Sequence, residues 1–329
     1  MSFLISLLRL LPPELAHSLA LNSLNALHAL RLSNIFFPAP SQSDPFTYKN
    51  LTFKNRLGIA AGLDKNGDYI DSLGSLGFGF IEIGTVTPLS QAGNPKPRIF
   101  RFVKQQAIIN RLGFNNKGLD YLVQKLKSRK YEGILGVNIG ANKDSEGQKR
   151  IDDFIECFNK VSPYADYITV NISSPNTPSL RALHERKNFE PLFYALRIAR
   201  AKLQFGNPVF IKLSPDENKE TIKDIIQAIS EYEFDGVIAS NTTIDRATLE
   251  DNTPSHGISG GLSGKPLFTK STILLQNIHQ HDKNLIKIGV GGVFDRKDFD
   301  QKLVSGASLV QIYTSFIYEG PRIVSKLLQ

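Results

Sequence analysis

Lys65, Thr85, Asn138, Asn171, Ser174, Lys212, Ser240, Asn241 and the pair Gly291-Gly292 all close apolar runs, so a fold that aligns those runs gathers amines, amides and hydroxyls at one rim. Two lysines so placed would each lose part of their hydration. That suits charge stabilisation of an anionic substrate or cofactor, or Schiff-base chemistry, with salt-bridging inside the fold as the structural alternative. In NISSPNTPSLR (171 to 181), Asn171, Asn176 and Thr177 offer amide and hydroxyl groups beside Ser173 and Ser174, a cluster able to hydrogen-bond a planar polar ring. The same composition also describes a plain turn. GVGG (289 to 292), with Tyr313 and Thr314 after the next apolar run, has the character of a backbone phosphate site, where glycine lets the main chain approach an anion. GVGGV lacks the full dinucleotide spacing. GLSGKPL (261 to 267) departs from a P-loop, with Ser259 where the first Gly belongs and Pro266 in place of Ser or Thr.

The elements that must position these groups repeat from Asn55 onward. RLGIAAGLDK (56 to 65), FGFIEIGTVT (78 to 87), GILGVNIGAN (133 to 142), YITVNISS (167 to 174), PVFIKLS (208 to 214), GVIASNTT (236 to 243), LIKIGVGG (285 to 292) and LVQIYTS (309 to 315) alternate with helix-like stretches. Continuous apolar strands between helices predict a parallel sheet covered on both sides, and eight units predict an α/β fold closed as a (β/α)₈ TIM barrel, an open doubly wound sheet being the alternative. Between the second and third runs, RIFRFV and QAIIN predict a small extra sheet that drops NRLGF (110 to 114) over the mouth. FTYKNLTFKN (46 to 55) predicts a hairpin plugging the opposite end.

Residues 1 to 33 are rich in Leu, with Arg9, Glu14 and Arg31 as the fully charged side chains. Arg9 and Pro12-Pro13 interrupt the first stretch well short of the ~18 apolar residues of a spanning helix. The expectation is a helical hairpin: one helix to Leu11, a break at Pro12-Pro13, and a second helix with Leu15, Leu19, Leu24 and Leu27 along it. Either it packs on the domain or it lies in a membrane interface with an apolar crevice between the helices. The segment fits a signal peptide poorly, because no basic region precedes its apolar stretch. The expected division is 1-40 as this extension and 41-329 as the barrel. One cysteine in 329 residues excludes an internal disulfide and any cysteine-rich metal centre. The formal charge of +8 is spread along the chain, with KLKSRK (125 to 130) its dense run, so nucleic acid is not expected and acidic lipid headgroups are the better use of the charge.

AGLDKNG (61 to 67), PRIFR (97 to 101), NRLGFNN (110 to 116), NISSPNTP (171 to 178), SNTT (240 to 243), GGLSGKPL (260 to 267), GVGGV (289 to 293) and GASLVQIYT (306 to 314) run in order across almost the whole chain. Together they resemble the dihydroorotate dehydrogenases. That family divides by its base, cysteine in the soluble enzymes and serine in the class 2, quinone-reducing enzymes; Ser174 stands at that position, and the apolar N-terminal segment resembles the class 2 extension. The resemblance implies oxidation of dihydroorotate to orotate in pyrimidine biosynthesis, with one FMN per chain and ubiquinone or menaquinone as acceptor. It implies FMN contacts at Ala61, Gly62, Leu63, Asp64, Lys65, Thr85, Asn138, Asn171, Lys212 and Ser240, with Gly264, Gly292, Tyr313 and Thr314 at the phosphate. Substrate would be held by Lys65, Asn110, Arg111, Leu112, Gly113, Phe114, Asn171, Asn176, Asn241 and Thr242. Ser174 would take the C5 proton, assisted by Lys65, with a relay through Thr177 and water beneath Phe114, because a serine hydroxyl is a weak base. His17, Arg101 and Tyr313 would line the quinone tunnel, although a surface helix also accounts for His17. A monomer, peripheral on the cytoplasmic face of a bacterial inner membrane, is expected, without a metal.

Ser179 stands where the family commonly has glycine, which predicts strain if that position needs positive φ. Cys157, within IDDFIECFNKV, is expected to be an inert helix thiol, and HQH (279 to 281) lacks the companions of a metal site.

Overall fold

The structure is a computed structural model that describes residues 8, 10–38, 44–176, 181–249 and 257–329. Eight parallel strands close on themselves: β3 (Leu57–Ile59), β4 (Phe80–Val86), β7 (Ile134–Ile139), β8 (Tyr167–Asn171), β9 (Val209–Leu213), β10 (Gly236–Ala239), β12 (Ile286–Val290) and β13 (Leu309–Ile312), the last pairing back to β3. These are the eight apolar runs. Every residue of these strands is buried, because helices cover the outside while side chains fill the inside.

The lower half of the barrel is filled with rings. Phe53 meets Phe80 edge-on at 5.3 Å, and Tyr167 lies 6.2 Å from Phe80 and 5.4 Å from Phe210. Room for them comes from glycine in the neighbouring strands: a Cβ on Gly58 would stand 2.4 Å from the Phe80 ring, and one on Gly136 would stand 2.0 Å from Tyr167. Phe53 arrives on a hairpin, β1 (Phe46–Tyr48) with β2 (Leu51–Phe53), whose buried face, Leu51 and Phe53, closes this end as expected.

The excursion after β4 forms β5 (Ile99–Phe102) and β6 (Ala107–Asn110), joined antiparallel. A third strand, β11 (Gly261–Gly264), adds to β6 with Gly261 opposite Asn110. This strand was not expected from GLSGKPL, whose first four residues hold one large apolar side chain, Leu262, between glycines and so show no alternating pattern. Its partner lies about 150 residues earlier in the chain, beyond the reach of any local signal.

Near the N-terminus, α1 (Pro13–Ala29) begins with Pro at its first helical position, where the missing N–H costs nothing. Its buried face is Ala16, Leu21 and Leu24, packed on α3 (Ile70–Gly74) and β5, after the short α2 (Ser33–Phe36) has turned the chain. The expected apolar line of Leu15, Leu19, Leu24 and Leu27 therefore divides. At about 3.6 residues per turn Leu15 and Leu19 point away from Leu24, and they are 49% and 42% exposed. Leu21, Leu24 and Phe37 belong to the same apolar cluster as the barrel's outer layer. The expected first helix, ending at Leu11, falls largely outside the described residues.

Candidate active site

At the C-terminal ends of the strands lies a cavity. Its wall is built from strand ends: Ala60 to Gly62 after β3, Thr85 in β4, Asn171 in β8, Lys212 in β9, Ser240 after β10, Gly291 and Gly292 after β12, and Ile312 to Ser315 after β13. Over it lie Asn110 and Leu112 to Phe114 from the β6 excursion, Ser174 and Asn176, Asn241 and Thr242, and Ser263 and Gly264 of β11. Parallel closure alone brings these distant residues together, because all eight strands end at the same rim.

Most of the expected site residues are in this lining, and four are not. Asp64 turns its carboxylate into its own loop, accepting the backbone N–H groups of Asn66 (3.2 Å), Asp68 (3.0 Å) and Tyr69 (2.7 Å). Burial nevertheless pushes its pKa up to about 6. Leu63 faces a second, apolar cleft. Arg111 donates to the Pro97 carbonyl at 2.9 Å and to Ser259 at 3.2 Å, with its guanidinium over Phe100, so its length carries it outward. Asn138 lies beneath the floor. Thr177 and Ser179 are outside the described residues.

The floor is a polar network in which Thr85, Asn138 and Asn171 were expected and Glu82, Tyr167 and Gln311 were not. Thr85 Oγ1 donates to Asn138 Oδ1 (2.6 Å), and Asn171 Nδ2 donates to Thr85 (3.0 Å). Asn138 Nδ2, Tyr167 Oη and Gln311 Nε2 all donate to the carboxylate of Glu82, at 2.8, 3.0 and 2.8 Å. Glu82 is 1% exposed, and three donors offset the loss of water around its charge. The available signal was one carboxylate in the apolar run FIEIGTV. Above this network two groups look for partners. The buried Gln311 carbonyl oxygen has none, and the Lys212 ammonium makes no hydrogen bond among the described residues. Burial lowers the Lys212 pKa, against the attraction of Glu82.

Across the cavity, Lys65 Nζ donates to the Gly62 carbonyl at 2.8 Å. Burial, reinforced by the Arg98 charge, brings its pKa down to about 8. Ser174 Oγ accepts the Asn176 N–H at 3.3 Å, Asn176 Nδ2 donates to Asn110 Oδ1 at 3.2 Å, and Asn241 Nδ2 donates to Ser173 Oγ at 3.0 Å. These amides are set in pairs, each keeping capacity for a ligand's donor and acceptor edge. Phe114 closes this end with φ of +52°, a conformation unusual for an aromatic residue; its carbonyl is held by Asn116 Nδ2 (2.7 Å) and Gln91 Nε2 (3.1 Å).

At the opposite end Gly264, Gly291 and Gly292 all have positive φ. Gly292 lies against the start of α8 (Phe268–His281): an added Cβ would be 2.7 Å from Phe268 N and 2.6 Å from its Cα. Thr314 donates to Ser263 Oγ at 2.8 Å beside it.

The apolar cleft, about 1700 Å³ and open to solvent, lies between α1 and the barrel and shares Asn110, Leu112 and Tyr313 with the first cavity. His17 and Arg101 line it with Leu21, Leu24, Leu27 and Phe316. His17 is thus half-buried and faces this cleft. Burial, with the Lys65 charge, pulls its pKa down to about 4, whereas burial pushes Tyr313 up to about 12, so both are neutral at ordinary pH. Arg101 donates to the Leu11 carbonyl. No helix among the described residues is long and apolar enough to cross a membrane. Cys157 is fully buried, and burial raises its thiol pKa.

Residues 46–329 match the family model described as dihydroorotate dehydrogenase. A Saccharophagus degradans protein named dihydroorotate dehydrogenase (quinone) is 44% identical, over 99% of this chain and 97% of its own length. A Methylobacillus flagellatus protein of the same name is 45% identical, over 96% and 95%. Among solved structures, a DHODH from Eimeria tenella in complex with ferulenol matches with a TM-score of 0.86 and 35% identity, over 96% of this chain and 89% of that one.

Gly292→Ala is expected to push the start of α8 away from the cavity while leaving the barrel folded. The flavin Kd of the flavin-free variant should weaken at least tenfold, a loss of ~1.4 kcal/mol or more, measured by fluorescence titration. An unchanged flavin Kd would show that close backbone approach at Gly292 is not needed.

Proposed function

Because the chain belongs to the dihydroorotate dehydrogenase family and oxidises dihydroorotate to orotate in pyrimidine biosynthesis with a quinone as acceptor, we propose that the rim cavity holds one FMN and the substrate, and that the apolar cleft admits the quinone. The observation that carries this reading is the one cavity that places Ser174, Lys65 and the paired asparagines opposite a glycine cradle. The lining fits the cofactor. Gln311 and Lys212 offer an unpaired oxygen and an unpaired cation on its floor, and Gly264 and Gly292 leave room for a phosphate against the backbone. Bound there, FMN would supply the two-electron acceptor for the substrate's hydride. Ala61, Gly62, Thr85, Asn171, Lys212, Ser240, Tyr313 and Thr314 would complete its contacts, with Asn138 acting from beneath through Thr85.

Toward the substrate, Lys65 supplies a cation for the carboxylate, and Asn110, Asn176, Asn171, Asn241 and Thr242 meet the ring's mixed edge. Ser174 accepts the proton from C5, and Thr177 is the next group along the chain to receive it. Phe114, Leu112 and Gly113 cover the reacting carbon and keep bulk water away. Arg111 acts through the backbone, holding the loop to Pro97.

The quinone reading rests on the wall shared at Tyr313, where the apolar cleft meets the polar cavity. His17 and Arg101 are its polar groups. On and beside α1 and α2, Leu10, Leu15, Leu19, Leu30, Ile35 and Phe36 are exposed, which supports peripheral attachment of residues 1 to 40 to the cytoplasmic face of a bacterial membrane, with 41 to 329 as the catalytic barrel.

Ser174→Ala should retain FMN and lose dihydroorotate oxidation by about a hundredfold or more, the usual scale for a positioned base. Near-normal turnover in a quinone-coupled assay would remove Ser174 from that role. For Lys65 the sign follows from its lowered pKa: the ammonium is present below about 8 and is lost above it. Accordingly kcat/KM for dihydroorotate should fall through pH 8 to 9, with KM carrying most of the change, and a flat profile to pH 9.5 would contradict the carboxylate contact. Leu15→Glu with Leu30→Glu alters exposed positions outside the cleft lining at little folding cost; it should weaken binding to anionic vesicles severalfold without changing reduction of a short, water-soluble quinone. Unchanged vesicle binding would remove these leucines from the membrane face.

A further inference from the structure

Behind the glycine cradle lies a buried cation that the mechanism above does not use. Lys302, on α9 (Arg296–Val304), is 0% exposed, with its stem beneath Gly289 at the end of β12. Its ammonium donates to Ser271 Oγ at 2.7 Å and to Thr272 Oγ1 at 2.9 Å, both in the first turns of α8, and stands 4.8 Å from the centre of the Phe268 ring. No carboxylate pairs with it among the described residues; Asp298, one turn earlier on α9, acts on it only through space. Ser271 Oγ in turn lies 2.9 Å from the Leu267 carbonyl, 3.0 Å from that of Phe268 and 3.2 Å from that of Gly291; Leu267 and Gly291 belong to the cavity wall.

An interior ammonium held by hydroxyls and a ring face costs several kcal/mol in desolvation, and such groups persist where a negative charge arrives. The peptide group whose carbonyl Ser271 contacts is the one whose N–H belongs to Gly292. That N–H has no acceptor among the described residues and borders the cavity. A cation that polarises the hydroxyl, and through it the carbonyl, makes the same peptide a stronger donor at its other end.

We propose that Lys302 is the interior counter-charge for the phosphate end of the cofactor, acting through Ser271 and the Gly291–Gly292 peptide, so that the site selects a phosphorylated flavin over the same flavin without phosphate. This rests on the FMN reading given above. Lys302 is a positioning residue, one peptide removed from the cavity. Burial brings its pKa down to about 7 in the absence of an anion, which fits a cation waiting for its partner. Ser271 and Thr272 keep other acceptors, the Leu267 and Phe268 carbonyls at 2.9 and 2.7 Å, so an apolar side chain at 302 orphans neither hydroxyl.

The test compares FMN and riboflavin binding to flavin-free full-length protein by fluorescence, for wild type, Lys302→Met and Lys302→Gln. Expected is a preference of wild type for FMN, with the FMN Kd at least tenfold weaker in both variants, the ~1.4 kcal/mol or more that an interior charge contributes, and the riboflavin Kd within about twofold. Thermal stability of the flavin-free Met variant should equal or exceed that of wild type, because a buried charge has been replaced by a shape of similar volume; a merely structural lysine would lower it. Equal weakening of both flavins, or an unchanged FMN Kd in the Gln variant, overturns the proposal. A wild type that takes up FMN with no preference over riboflavin overturns it too, leaving the flavin site itself intact. Failure of wild type to take up either flavin overturns the cofactor reading and this proposal with it.

Discussion

Closure of eight parallel strands into a barrel leaves no edge and no wet face, and this constraint governs everything else in the molecule. A polar side chain pointing toward the axis must find partners within the barrel or be aimed out of its mouth. Glu82 does the first, collecting Asn138, Tyr167 and Gln311. Lys212 and the free oxygen of Gln311 do the second. The floor of the cavity is thus an incompletely satisfied network resting on a satisfied one. Such an arrangement is costly for the isolated fold and is offset where a ligand with its own donors and acceptors completes it.

The two cavities divide the labour by polarity. One is lined by amides, hydroxyls and two lysines, while the other is lined by leucine, isoleucine and phenylalanine. Tyr313, Leu112 and Asn110 belong to both. In the proposed reading, this shared wall would let a polar two-electron donor and a lipophilic acceptor be served from one chain without meeting. The bidentate pair of Glu14 with Arg98, at 2.9 Å for each contact, ties α1 to the excursion that roofs the polar side, so the apolar cleft and the roof are parts of one packed unit.

Much of this was legible in the sequence, for a physical reason. Buried parallel strands need unbroken apolar runs, and function in a closed barrel must lie where those runs end, so the eight strands and residues such as Lys65, Asn171, Ser174 and Lys212 could be read together. What escaped depends on contacts between distant segments. β11 is a strand because β6 offers it an edge, and nothing in GLSG announces it. Asp64 and Arg111 sit inside informative motifs, yet one short and one long side chain reach backbone groups of the loops instead of the cavity. Leu15 and Leu19 show that apolar residues on a helix do not by themselves say which face is buried.

Three lysines are drawn into this end of the barrel, and among the described residues none of them has a carboxylate in direct contact: Lys65 on a carbonyl, Lys212 near but not on Glu82, and Lys302 on two hydroxyls. Burial lowers the pKa of each. In a protein built only for stability, such groups would be paired or replaced by apolar ones, since an interior cation without an anion is a net cost. They stand around one cavity, beside Gly62, on the floor and behind the glycine cradle, where the proposed substrate and cofactor would bring negative charge. The overall charge of +8 then has a local counterpart in these three interior lysines.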